Sequence, residues 1–149
     1  MPDYATLYIS DPGLIGSRLF KRMEEISDVE SLSEKGRATG FKFKFGKTSI
    51  QCNLMPTGEI KKHLSEFENY AKTTWDGTED DLIYFLSRLT NVAQSLGCVI
   101  EPGFDEDGEV ANFLVRFNSQ FNGLMFIMDS IVDLDGTTLS GPLKENESQ

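Results

Sequence analysis

The sequence predicts an α+β domain, a mostly antiparallel sheet with helices packed on one face, and three observations carry that reading. Apolar and polar residues alternate through Phe41-Lys42-Phe43-Lys44-Phe45, the period of a half-buried strand. Elsewhere apolar residues recur at three- and four-residue steps, as in Leu82, Phe85, Leu86 and Leu89, the period of an amphipathic helix. Asx-Gly pairs at Asp107-Gly108, Asn122-Gly123 and Asp135-Gly136 then mark tight connections, because these residues accept positive φ readily. With 149 residues, 39% hydrophobic and eleven phenylalanines among them, the chain has enough apolar surface for one core.

The elements follow in order. Tyr4 to Ile9 is rich in β-branched and aromatic residues and ends at Asp11-Pro12-Gly13, which reads as a strand and a turn. Ile15, Leu19, Met23 and Ile26 lie on one helical face, and the polar run Ser27 to Thr39 reads as a loop. Phe41 to Phe45 and Ile50, Cys52, Leu54, joined through Gly46-Lys47, form a hairpin whose phenylalanine row and Ile/Cys/Leu set share a buried face. Thr57 caps a helix with the stripe Ile60, Leu64, Phe67 and Ala71. Thr78 caps a second, with Leu82 through Leu96 as its face and Gly97 as its stop. From Cys98 onward the chain reads as strands at Cys98 to Glu101, Val110 to Phe117, Leu124 to Leu134 and Thr137 to Leu139.

The resulting order is β-α-β-β-α-α-β-β-β. With the two central helices counted as one crossover, its first part matches the βαββαβ pattern of ferredoxin-like folds, extended by the C-terminal strands. Residues 1 to 141 form one domain on this reading, and 142 to 149 form a tail with little to bury.

Charge is unevenly placed. The net charge is −10, with 14 acids against 12 bases in residues 1 to 97 and 10 acids against 2 bases from residue 98 onward. Such a field repels nucleic-acid phosphates and anionic headgroups and attracts basic proteins or cations, so neither nucleic acid nor membrane is an expected partner. The start Met1-Pro2-Asp3-Tyr4 lacks the basic and apolar regions of a secretory signal, and the longest apolar run, Leu124 to Met128, is five residues. A cytoplasmic protein with reduced thiols is expected.

Four features are candidates for chemistry. Glu59, His63 and Glu66 fall on one helical face, but a lone histidine with two carboxylates is a weak ligand set for zinc, so neither metal nor other cofactor is expected. The acid-rich stretches Asp105-Glu106-Asp107-Gly108-Glu109 and Asp129, Asp133, Asp135 would lie near each other if the last strands form a meander. Neither matches an EF-hand loop, and Asp105, Glu106, Asp107, Glu109, Asp133 and Asp135 are the residues expected to meet a basic partner or a cation. Gly40 to Phe45 departs from the aromatic strand of RNA-recognition motifs at Thr39, Lys42 and Lys44. Asp11-Pro12-Gly13-Leu14-Ile15 resembles the Pro-Gly-Leu turn that opens the first helix of ACT domains, a family of ligand-sensing modules. The resemblance covers about five residues and lacks the residue that the family carries between the aspartate and the proline. It implies a ligand at Asp11, Pro12 and Gly13.

One histidine and two separated cysteines, Cys52 and Cys98, leave little of the usual equipment for catalysis near neutral pH. Both cysteines sit in apolar patterns and read as packed. No G-x-S-x-G, phosphate-loop, H-E-x-x-H or dinucleotide motif occurs. The leading expectation is a binding protein without enzymatic activity that contacts another protein, or a second copy of itself, through its acidic C-terminal third. A small-molecule sensor at Asp11 to Gly13 is the alternative, and a carboxylate- or metal-dependent enzyme the third.

Overall fold

A computed structural model of the chain describes residues 2–11 and 23–142. Among these residues the centre is one antiparallel sheet of eight strands: β1 (Asp3–Ile9), β2 (Ile26–Glu34), β3 (Arg37–Phe45), β4 (Thr48–Leu54), β5 (Gln94–Glu101), β6 (Leu124–Ile127), β7 (Ser130–Val132) and β8 (Thr138–Ser140). Among the described residues three helices accompany it: α1 (Thr57–Thr74), α2 (Glu79–Leu89) and α3 (Glu109–Ser119). The strands lie side by side in the order β2-β3-β4-β5-β1-β6-β7-β8, so the first strand ends in the interior. Four strands lie to one side of β1 and three to the other, an arrangement that does not confirm the ferredoxin-like core.

Alternation along β1 explains why the sheet has helices on both faces rather than one. Ala5, Leu7 and Ile9 point to one side and pack with Phe113, Leu114 and Phe117 of α3. Tyr8 points to the other and joins Phe67 and Ala71 of α1 and Phe85 and Leu89 of α2. β6 divides likewise, with Met125 and Ile127 under α3 and Leu124 on the α1/α2 side. β6 is apolar at all four positions and little exposed along its length, as a strand covered on both faces should be.

The expected hairpin is present. Phe43 pairs with Ile50 and Phe41 with Cys52, and the shared apolar face packs under α3, where Phe45 stacks on Phe113 with ring centroids 4.4 Å apart. The run 27–39, expected as a loop, instead supplies β2 and the start of β3, turning at Lys35 and Gly36 with φ 52° and 79°. β2 is an edge strand with mostly exposed, polar side chains and so lacks the alternation that marks a covered one. The helix expected from Ile15 falls largely in 12–22, outside the described residues; its last stripe position, Ile26, opens β2.

Four further expectations change. Val110, Phe113, Leu114 and Phe117 belong to a helix, not a strand, their spacings of three and four residues fixing one buried face that contacts the phenylalanine row. α2 stops at Leu89, and Val92, Ala93 and Leu96 lie beyond it. Leu96 and Gly97 belong to β5, whose Leu96, Cys98 and Ile100 alternate into the α3-side core. The stretch 124–134 is two short strands around the turn Met128-Asp129. Pro56, not Thr57, occupies the position before α1 and gives it no side-chain cap, whereas Thr78 caps α2 by accepting from the Asp81 N–H at 3.0 Å.

A cleft at the acidic end of the sheet

Helices α1 and α2 cover only part of their face. Phe67 and Tyr70 of α1 meet Phe126 of β6 edge-on, and Phe85 of α2 lies with Leu124, Ile131 and Leu139 in one cluster, so the two helices sit over β1, β6, β7 and β8, with α1 also touching β5. Beyond them Lys42, Gln51, Asn53, Gly97 and Val99 on β3, β4 and β5 are exposed or half-buried. That half of the sheet is polar and solvated, with the Gln51 amide donating to Asn53 at 2.9 Å.

A cleft opens where β1 begins and β6 ends, as set by the pairing of Asp3 with Ile100 and Ala5 with Ile127. It has a volume of about 370 Å³ and is lined by Tyr4, Thr6, Phe104, Phe126 and Met128, with the carboxylates of Asp3 and Asp129 at its margin. Tyr4 is 64% exposed and Met128 55%, two of the largest apolar side chains left open to water. Asp3 holds one wall by accepting from the Phe104 N–H at 2.8 Å.

Met128 sits there in an unusual backbone state. Met128 and Asp129 form the two-residue turn between β6 and β7 with φ 51° and 60°, a geometry that asparagine and glycine adopt at little cost and methionine does not. A local rule is thus broken beside exposed apolar side chains, the pattern expected where contact matters more than stability.

The sequence-selected acids separate into two groups. Asp105, Glu106, Asp107 and Glu109 follow β5 and so lie at the cleft end of the sheet, together with Asp3, Glu101 and Asp129. Asp133 and Asp135 follow β7, which runs antiparallel to β6, and lie at the opposite end. Asp129 joins the first stretch but Asp133 and Asp135 do not, because the strand expected at 124–134 is instead the β6–β7 hairpin, which turns back at Met128-Asp129 and carries the chain to the opposite end.

Several of these carboxylates have structural partners. Asp105 accepts from the Val110 and Glu109 N–H groups at 2.9 and 3.2 Å, capping α3. The Val110 amide is the main reason that its carboxyl is held below the ordinary value. Asp135 accepts from the Thr137 N–H at 2.9 Å, and this bond likewise holds its carboxyl low. Asp133 bonds Arg88 at 2.9 Å and Tyr84 at 2.7 Å, and Arg88 also donates to the Asn122 carbonyl at 2.6 Å. Burial first, and then the Asp133 hydrogen bond, push the Tyr84 phenol up.

His63 faces the sheet. Its Nε2 lies 2.9 Å from the Tyr8 hydroxyl, and the two rings stack at 5.6 Å. Burial raises the Tyr8 phenol far above its ordinary value. Among the described residues no three His, Cys, Asp or Glu side chains gather closely enough to hold a metal ion. Asp11 accepts from the Asn122 side-chain amide, and the Ser10 and Asp11 N–H groups both donate to the Phe121 carbonyl. Pro12 and Gly13 lie outside the described residues. A larger concavity of about 750 Å³ separates the β2–β3 turn from the start of α1, and its lining, including Lys35, Arg37, Thr57 and Gln94, is exposed or half-buried throughout.

Sequence reasoning missed the cleft because its members come from β1, the loop after β5, and the β6–β7 turn. The one local signal was Met128-Asp129 in place of an Asx-Gly pair between two apolar runs. Among the described residues no helix is long and apolar enough to cross a membrane. No family model, curated protein or solved structure matches this chain.

Proposed function

We propose that the chain is a protein-binding domain that receives a basic segment of another protein at the cleft between Tyr4, Phe126 and Met128. The observation that carries this reading is the strained, exposed Met128 beside an exposed Tyr4 in an apolar slot rimmed by Asp3 and Asp129. An apolar side chain of the partner enters the slot, and lysines or arginines flanking it meet the rim together with Glu101, Glu106 and Asp107. Those three acids have no helix-capping duty comparable to that of Asp105. Charge complementarity of this kind accelerates encounter and sets specificity, while the buried anchor supplies most of the affinity. The full acidic C-terminal third is not one surface on this reading, since Asp133 and Asp135 face the other end.

Edge-to-edge pairing of two copies is disfavoured at β2, where Asp28, Glu30 and Glu34 line an exposed, bulged strand. The test is titration of the isotopically labelled protein with short lysine- and arginine-rich peptides bearing one central leucine or phenylalanine. Amide shifts centred on Tyr4, Phe126 and Met128 that fade with added salt are expected. Shifts confined to the Asp133–Asp135 end, or none with any peptide, overturn the proposal.

A further inference from the structure

Cys52 and Cys98 are 46 positions apart in sequence, yet they face each other directly across β4 and β5, with their sulfurs 3.4 Å apart. Both are free thiols, 0% and 1% exposed, on the side of the sheet that α3 covers. Directly opposed residues of antiparallel strands have Cα atoms about 4.5 or 5.5 Å apart, and both spacings lie within the roughly 4.4–6.8 Å that a disulfide spans. The backbone is therefore already placed for a bond, and only the sulfurs must draw closer, to about 2.05 Å.

We propose that Cys52 and Cys98 are an oxidisable pair that closes to an intramolecular cross-strand disulfide when the protein meets a hydroperoxide. One cysteine, as thiolate, attacks the outer peroxide oxygen. The O–O bond breaks, the leaving oxygen takes a proton to become water or an alcohol, and a sulfenic acid remains. The opposed thiol then loses its proton, attacks the sulfenic sulfur and expels hydroxide, which leaves as water. Two thiols give up two electrons and two protons in all, and the hydroperoxide is the acceptor.

Burial governs the rate. The apolar surroundings push the Cys52 thiol well up, so little thiolate is present in the closed sheet, and reaction proceeds through transient opening of β4 from β5. Once formed, the bond ties the strands on either side of α1 and α2 and restricts the unfolded chain.

The experiment exposes the full chain to graded hydrogen peroxide, denatures it in an alkylating reagent and maps the peptides. Oxidation of the exposed Met128 to its sulfoxide serves as an internal measure of dose. The expected result is a peptide containing Cys52 joined to one containing Cys98, lighter by two hydrogens, resistant to alkylation, released by dithiothreitol, and accompanied by a reversible rise in melting temperature. Two alkylatable thiols at doses that have already converted Met128, higher cysteine oxides, or cross-links between molecules would each overturn the proposal.

Discussion

Gly40 of β3 lies so close to Cys52 of β4 that a Cβ built on it would come within 2.1 Å of the Cys52 carbonyl oxygen. The obstacle is backbone, which cannot rotate away as a side-chain tip can. Gly40→Ala therefore forces β3 and β4 apart at the open end of the hairpin that carries Phe41 and Phe43. A loss of about 1–3 kcal/mol is expected, the usual cost of overpacking, read as a lower urea midpoint with unchanged slope. Gly97→Ala is the matched control, since a Cβ there meets nothing within 4 Å. Equal losses for the two variants would refute the close approach.

What was legible in the sequence follows from which residues face a covered surface. Phe41, Phe43 and Phe45 alternate because α3 lies over them, and the hairpin with Ile50 and Cys52 could be read from that alone. β2 has no such cover, so its serines and acids looked like a loop. Val110, Phe113, Leu114 and Phe117 contain a helical step pattern, yet Val115 and the phenylalanines also suit a strand, and only the sheet beneath decides between them. The cleft was the least legible feature, because Tyr4, Phe104, Phe126 and Met128 meet only through strand order, which no local period encodes. Asp105 and Asp135 were noticed for their charge, while their hydrogen bonds show them at work in a helix cap and a turn.

Arg88 and Asp133 join the end of α2 to the end of β7, and their side chains are 15% and 13% exposed. At that depth water screens the pair less than on an open surface, and Tyr84 and the Asn122 carbonyl share the same guanidinium. Arg88→Met or Asp133→Asn alone should cost about 1–3 kcal/mol, because each leaves a desolvated partner behind. The double variant should lose less than the sum, giving a coupling of about 1–2 kcal/mol by chemical denaturation. Strict additivity would show that the two groups are solvated separately.

Asp105 allows a pH test. Its carboxyl is held below the ordinary 3.8 mainly by the Val110 N–H, so the folded protein favours the charged form more than the unfolded chain does. The stabilisation is fully present above the unfolded value and disappears as the pH falls through the folded one. Asp105→Ala should consequently lower the melting temperature at about pH 7, and by less and less as the pH falls through the folded-state value, below which the wild-type group is protonated in both states. A difference that stays constant across this window would mean that the carboxylate charge contributes nothing to the start of α3.

Met128 links stability to binding in opposite directions. A non-glycine residue in the left-handed region costs roughly 1–2 kcal/mol, and asparagine recovers part of this because its short side chain bonds locally. Met128 is 55% exposed at φ 51°, so Met128→Asn loses little packing and should raise stability by about 0.5–1 kcal/mol, seen as a higher melting temperature. The same change removes an apolar wall of the cleft that Tyr4 and Phe126 share, so affinity for a basic peptide with an apolar anchor should fall at least about tenfold, or 1.4 kcal/mol. Only a residue kept for contact gives this pair of results, a sturdier fold with a weaker grip. If Met128→Asn is stabilised and binds such peptides as tightly as the wild type, the methionine is an accident of the turn and the cleft is not where the partner sits.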